Sequence, residues 1–156
     1  MKRLYLVTIF AIALAYIEAS VVVYLRRIPT PTTPAASTMP MDILAIELPA
    51  DILATERVRE VAAIVILLSF SVLCGRKWEK IAFFLWTFGF WDIFYYVFLY
   101  VLIKWPESPR TIDCLFLIPK PWIAPVYQPV LASIGMIFMA GVILSVTKKK
   151  VKRSRS

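Results

Sequence analysis

The residues of this chain that could carry chemistry are acidic side chains placed inside long apolar runs. Glu18 lies in the run from Leu4 to Leu25, and Asp92 lies near the middle of the run from Ile81 to Ile103. A carboxylate at such depth in a bilayer costs about 2.5–3.5 kcal/mol on insertion scales, so it usually faces the protein interior, pairs with a cation or takes up a proton. The two acids therefore predict a polar site inside a helix bundle.

The segment from Thr55 to Glu60 supplies possible neighbours for these acids. Glu56 and Glu60 are four residues apart and would share one face of a helix. Arg57 and Arg59 point about 200° apart on a helix, so they cannot both join that face. We expect Glu18, Glu56, Glu60, one arginine and Asp92 to converge in one half of the bundle.

Two kinds of chemistry fit such a cluster. One is a cation-binding or proton-handling site, for which oxygen ligands would suit Ca²⁺, Mg²⁺ or Mn²⁺. The other is a buried salt-bridge network, such as Glu18 with Arg59, that fixes the register of the helices. The chain has no histidine, which removes the commonest acid–base group and transition-metal ligand. The sequence identifies neither a metal nor a cofactor.

Four apolar runs define the elements that must position these groups. The chain has 156 residues and is 60% hydrophobic, against roughly 45–50% in soluble domains. We predict an all-α membrane protein with a single polytopic domain over residues 1–156 and four transmembrane helices in a bundle. The first run is longer than a signal-peptide core and lacks a clear cleavage site, so it is expected to remain as an anchor. The predicted spans are residues 4–25, 58–75, 81–103 and 126–146.

The segments between the spans predict two outer loops, residues 26–57 and 104–125, both containing several prolines. Met41 to Ala54 alternates acids with aliphatic residues, which indicates a short amphipathic segment at the membrane interface or a loop over the bundle. Thr55 is the expected N-cap of the second span. Leu115 to Ile118 is too short to span, so it should dip into the interface or pack on the bundle.

Basic residues give the predicted spans a direction. The N-terminus, the connection after the second span and the tail 147–156 carry more Lys and Arg residues than the outer loops. Such residues are enriched in cytoplasmic flanks, so both termini are expected in the cytoplasm and the protein in the cytoplasmic membrane. The tail should contact anionic lipid headgroups, and its lack of aromatic residues argues against nucleic-acid binding. Cys74 and Cys114 would face opposite sides, which argues against a disulfide.

Aromatic residues crowd the third span, where Trp91 directly precedes Asp92. Packing and anchoring at the outer membrane interface is the simpler interpretation, and a cofactor or lipid pocket is the alternative. The residues expected in the outer belt are Tyr95, Tyr96, Tyr100 and Trp105. Small residues on the fourth span would permit close helix approach, and these are Gly135, Ala140 and Gly141.

Three stretches carry a family resemblance: Phe90 to Tyr96, Trp105 to Ser108, and Asp113 to Trp122. They resemble a family of small prokaryotic four-span membrane proteins of uncharacterised function, which share a tryptophan–aspartate–aromatic helix and a proline-rich outer loop. The resemblance implies no activity. It adds Asp113 to the polar cluster, next to Glu60, and makes Trp105 and Trp122 further positions to test.

Three functions stay open. The first is a structural or accessory membrane subunit, in a homo-oligomer or a larger complex, whose acids are paired with arginine. The second is a cation- or proton-handling carrier that uses Glu18, Glu60 and Asp92. The third is an intramembrane enzyme acting on a lipid or quinone, although no catalytic residue stands out and we lean against an enzyme. A pocket that reaches the acids would favour the second function over the first.

Overall fold

The computed structural model describes residues 2–27, 49–74 and 76–153, with side chains for residues 3–27, 49–74 and 76–148. Within these ranges the chain is mostly helical, with one antiparallel pair of strands. The elements are α1 (Lys2–Leu25), α2 (Ala50–Cys74), α3 (Trp78–Ile103), β1 (Ile112–Phe116), β2 (Trp122–Pro125) and α4 (Tyr127–Arg153).

Three of the four described helices are long and apolar enough to cross a membrane. The qualifying segments are Arg3–Leu25 and Tyr127–Lys148, each with a mean hydropathy of 2.3, and Trp78–Ile103, with 1.5. They coincide with the predicted first, fourth and third spans. Large apolar side chains point away from the bundle, as on Phe138, which is 70% exposed, and lipid-facing surfaces have this character. The prediction is thus confirmed for a mostly helical chain with three helices that could span a membrane.

α2 does not meet the same criterion. Every stretch of 18 residues within it includes Arg57, Arg59 and Glu60, so its apolar part is shorter than in the other three helices. α2 also begins at Ala50 and not at Val58 as predicted. Thr55 and Glu56 were the expected N-cap and first turn ahead of that span, whereas both lie inside the helix.

The first turns of α2 explain where the sequence prediction failed. The Leu53 N–H donates to the Pro49 carbonyl at 2.9 Å, and Asp51 in the first turn suits the helix dipole. Thr55 is not the N-cap, because its hydroxyl donates back to the Asp51 carbonyl within the helix. Residues 50–54 of the predicted interfacial segment thus form the first turns of α2, and most of its remainder, with most of the first outer loop, lies outside the described residues.

Side-chain contacts show that successive helices alternate in direction. Phe10 of α1 stacks on Phe70 of α2, while Glu18 pairs with Arg59, so α1 and α2 are antiparallel. α3 and α4 are antiparallel, because Gly89 of α3 lies against Ile137 of α4 while Asp92, further along α3, accepts from Ser133, which is earlier in α4. α1 and α3 are parallel, because Trp86 of α3 donates to Thr8 of α1 while Phe98 packs on Tyr16 further along both helices. α3 packs against each of the other three helices. The C-terminal ends of α1 and α3 and the N-terminal ends of α2 and α4 therefore meet at one end of the bundle.

A β-hairpin covers that end, where the sequence predicted an irregular loop. Asp113 is paired in register with Ala124, and Ile112 with Pro125. The predicted apolar piece Leu115–Ile118 is half strand, and it packs on the bundle because Phe116 stacks on Phe88 of α3 with ring centroids 6.4 Å apart. β-branched and aromatic residues in both short segments favour strands, but Pro125 in β2 and the prolines between the strands concealed this tendency.

The bundle is most tightly packed at Gly89. A Cβ atom there would lie 2.7 Å from Ile137 Cγ1 and 2.8 Å from the Ser133 carbonyl oxygen, so only glycine allows α3 and α4 to approach this closely. Gly135 and Gly141, which the sequence favoured for close approach, have no such neighbour within 4 Å, although Ala140 is fully buried. α4 also continues to Arg153, beyond the predicted end at residue 146.

Candidate functional site

An ion triad joins α1 to α2 near the hairpin end of the bundle. Arg59 pairs through Nη1 with Glu18 and through Nη2 with Glu56 Oε2 at 2.7 Å. Its Nε also donates to Glu56 at 2.8 Å. Both acids are more than nine-tenths buried. The pairing of Glu18 with Arg59, which the sequence suggested as one alternative, is present.

Glu60 lies one turn further along α2 and connects this helix to the hairpin. Its carboxylate accepts the Leu117 backbone N–H, at 3.0 Å to Oε2 and 3.3 Å to Oε1. Leu117 directly follows β1, so the N–H would otherwise have no strand partner. The bond holds the hairpin down against α2, and Glu60 has no ion-pair partner within the described residues.

Asp92 of α3 contacts α4 and no cation. Its Oδ2 accepts the Ser133 hydroxyl at 2.8 Å, just where Gly89 lets the two helices approach. Ser133 is 1% exposed, so this hydrogen bond is enclosed between the helices. No ion pair to Asp92 occurs in the described part of the chain.

Asp113 is the most enclosed acid of the group, at 1% exposed. Its Oδ2 accepts the Tyr96 hydroxyl at 2.8 Å, whereas Oδ1 is buried and has no hydrogen-bond partner among the described residues. Burial raises the pKa of Asp113 to about 7, although the Tyr96 hydrogen bond and the charge of Arg26 oppose this. The surroundings of Asp113 therefore favour its protonated form more than an exposed site would.

Arg26 follows α1 and lies close to Asp113 without a direct ion pair. Its guanidinium lies over the Trp105 ring, 4.3 Å from the centroid, and its Nε and Nη2 atoms are buried without hydrogen-bond partners in the described residues. Burial lowers the pKa of Arg26, and the nearby Tyr95 and Asp113 oppose this effect. Arg26 does not line the cavity, but its positive charge partly offsets the negative charge of Asp113.

These groups surround one cavity of about 120 Å³. That is room for several water molecules, since one water needs roughly 10–15 Å³ by this measure. α1, α2, α3 and the hairpin all contribute walls. The predicted cluster residues that line the cavity are Glu18, Glu56, Arg59, Glu60, Asp92 and Asp113.

The aromatic residues divide differently from the predicted belt. Trp91, Tyr95 and Tyr96 line the cavity, and Tyr96 is only 7% exposed. Trp105 is also buried, against Tyr96 and Arg26, in the core that closes this end of the bundle. Trp122 on β2 is 58% exposed and lies away from the cavity. Tyr96 and Trp105 are buried inside this end of the protein and do not lie on an exposed belt, whereas the belt stays a prediction for Tyr95 and Tyr100.

The charges around the cavity do not balance. Five carboxylates line it, while Arg59 is the cation among the lining residues. Glu18 and Glu56 share that arginine, so Glu60, Asp92 and Asp113 have hydrogen bonds but no ion pair in the described structure. The described residues contain no group of three or more His, Cys, Asp or Glu side chains placed to hold a metal ion. The Ca²⁺, Mg²⁺ or Mn²⁺ site considered from the sequence therefore has no support in this geometry.

Sequence reasoning missed the neutral partners of the acids. Ser133 and the Leu117 N–H lie far along the chain from Asp92 and Glu60, and nothing in their local sequence marks them. Tyr96, the partner of Asp113, could have been placed near the acids from the sequence. It lies one helical turn after Asp92 and so shares the face of α3 that carries this acid. Arg26 and Trp105 follow the ends of α1 and α3, so their contact depends on the backbone path after each helix, which the sequence does not reveal.

Comparison with protein-family models, with curated proteins and with solved structures gives no match to this chain. The family resemblance of the aromatic helix and the proline-rich loop stays a prediction, and a function has to be inferred from the cavity.

Proposed function

We propose that this protein binds a small cation in the carboxylate-lined cavity and exchanges it for protons, as a carrier or a cation sensor of the membrane. The observation that supports this most is the charge imbalance of the cavity wall. Glu60, Asp92 and Asp113 line the cavity without an ion-pair partner in the described residues.

Buried carboxylates without a counter-charge are unfavourable as anions. They are neutralised either by a proton or by a cation that enters the cavity. Asp113 illustrates the competition, because its pKa of about 7 means that it holds a proton part of the time near neutral pH. A cation bound beside Asp113 would favour its ionised form, so binding would release a proton.

The same proposal includes four membrane crossings, with both termini in the cytoplasm and the hairpin outside. The alternating direction of the helices and the ion triad between α1 and α2 support a crossing by α2, although every stretch of 18 residues within it includes at least three charged side chains. Basic residues at the other end of the bundle, including Arg3, Arg76 and Lys148, support a cytoplasmic position for that end in a cytoplasmic membrane. The cavity would then face the outside, and the C-terminal tail would contact anionic headgroups.

The proposal can be tested on the full chain in phosphatidylcholine nanodiscs. Melting temperature is measured against sodium, potassium, ammonium and methylammonium chloride, and proton release is followed with a pH dye in weakly buffered solution near pH 7. We expect at least one of these cations to raise the melting temperature saturably and to release protons. Asp113→Asn should lose the proton release, since the amide keeps the hydrogen bond from Tyr96 but cannot titrate.

Asp51→Asn is the matched control, because Asp51 is exposed near the start of α2, at the same end of the bundle. It should respond to cations as the parent does. If no cation in the panel changes the parent's melting temperature and no proton is released, the binding proposal is wrong.

A structural or accessory subunit is the second candidate, and the ion triad favours it. Arg59, Glu18 and Glu56 would then serve to fix α1 against α2, with the cavity unused. In that case the parent should show no response to cations. The substitutions Glu60→Gln and Asp92→Asn should then leave the stability of the protein and any complex formation unchanged. An enzyme acting on a lipid or quinone stays a prediction without a specific observation in its favour.

A further inference from the structure

We infer that the cation is a primary ammonium group carried by a small, partly apolar molecule. This inference rests on the proposed function and specifies its ligand. Three features of the cavity carry it: an unused acceptor, further carboxylates in the same wall, and an aromatic lining.

The unused acceptor is Asp113 Oδ1. This oxygen is buried in a residue that lines the cavity and is 1% exposed, and it has no hydrogen-bond partner of good geometry among the described residues, although the Cys114 backbone N–H lies near the same carboxyl and lowers its pKa. Leaving a buried oxygen without a donor is unfavourable because its lost hydration is not replaced, and the penalty is larger when the group is charged. A ligand with an N–H or O–H group would remove that penalty.

Asp92 and Glu60 provide further acceptors in the same cavity. Asp92 uses Oδ2 for Ser133, and the Glu60 carboxylate receives a single N–H, from Leu117. A carboxylate has about four lone-pair sites, so each can accept more. A primary ammonium presents three N–H donors from one compact positive centre, which suits several acceptors and a negative wall.

Inorganic cations fit this wall less well. Ca²⁺ takes six to eight oxygen ligands, and Mg²⁺ requires an octahedral set. The described residues hold no group of three potential metal-ligating side chains that are close enough. An ammonium needs hydrogen bonds and not a full coordination shell.

The aromatic lining supports an organic cation. Trp91, Tyr95, Tyr96 and Phe116 all line the cavity, and ring faces attract cations and also bury alkyl carbon. Because one water needs roughly 10–15 Å³, a cavity of about 120 Å³ accepts a molecule of several non-hydrogen atoms. That size is suitable for a short alkylamine or an ethanolamine unit.

The amine could be free in solution or belong to a lipid headgroup such as ethanolamine, and both share this chemistry. The experiment uses the full chain in phosphatidylcholine nanodiscs above pH 7, with butylammonium, butyltrimethylammonium and butanol as probes. A second arm replaces part of the lipid with phosphatidylethanolamine and adds no free amine. Melting temperature is measured for the parent, Asp113→Asn, Glu60→Gln and the exposed control Asp51→Asn.

We expect butylammonium to raise the melting temperature of the parent saturably, with an apparent affinity at least tenfold higher than that of its trimethyl analogue. Butanol should have no saturable effect. Asp113→Asn and Glu60→Gln should weaken this binding, and Asp51→Asn should not. A stabilisation found only with phosphatidylethanolamine, and lost in Asp113→Asn, assigns the ammonium to a headgroup. Equal binding of the trimethyl analogue overturns the primary ammonium, because that ion has no N–H. Stabilisation by sodium or potassium without any amine effect overturns this inference while the proposed function survives.

Discussion

Replacing Arg59 with methionine removes the cation shared by Glu18 and Glu56 while keeping a long side chain. Glu18 and Glu56 are 8% and 6% exposed, so both become buried charges without a partner. Breaking a buried ion pair in this way typically costs about 3–5 kcal/mol. The Arg59 side chain is itself 28% exposed, so water screens part of the interaction and we expect a loss near the lower limit, about 3 kcal/mol.

The measurement is equilibrium unfolding of the parent and variants in detergent micelles. Arg57→Met is the matched control, since Arg57 is exposed on another side of the same helix, and it should change the unfolding free energy by less than about 0.5 kcal/mol. Glu18→Gln combined with Arg59→Met should lose less than the sum of the two single changes, because the pair is coupled. An Arg59→Met loss no larger than that of the control would refute a stabilising triad.

Two further predictions concern α3 and the hairpin. Gly89→Ala should destabilise the protein by about 1–3 kcal/mol, because the added methyl meets Ile137 and the α4 backbone; Gly141→Ala, which meets open space, should be neutral or slightly stabilising in the same unfolding assay. Asp113 binds its proton more tightly in the folded state, with a pKa of about 7 against 3.8, so stability should fall as pH rises from about 4 to 7, by up to about 1.4 kcal/mol per unit. Asp113→Asn should flatten this slope in melts recorded as a function of pH, whereas Asp51→Asn should keep the slope of the parent. Equal slopes in the two variants would contradict the raised pKa of Asp113.

Apolar runs were enough to locate three of the helices. Their ends were predicted closely at Leu25 and Ile103, since a change from apolar to polar residues marks both. The start of α2 was missed because its first turns are amphipathic, and Thr55 with Glu56 resembled a capped helix start. The hairpin was missed because its strands are short and its stability comes from Phe88 and Glu60 on the bundle, which local sequence does not reveal.

The cavity could be predicted in part. Acids inside apolar runs are costly in a membrane, and this cost distinguishes Glu18 and Asp92 in the sequence alone. Helical spacing selects Glu56 and Glu60 in the same way. The neutral partners could not be selected, because serine hydroxyls and backbone N–H groups occur along the whole chain, and only the approach of α4 and the hairpin makes Ser133 and Leu117 neighbours of the acids.

The position of α3 between the other helices has a consequence for how the cavity can widen. α3 carries Asp92, Tyr95 and Tyr96, and its packing against α1 and α4 is more extensive than its packing against α2. Moving α1 or α4 outward would break long helix interfaces, including the close contact at Gly89. Moving α2 outward would break a smaller interface, made of the Phe10–Phe70 stack and the polar links at Arg59 and Glu60. The bundle should therefore open most easily between α2 and the hairpin. A molecule that reaches the carboxylates would enter by this route.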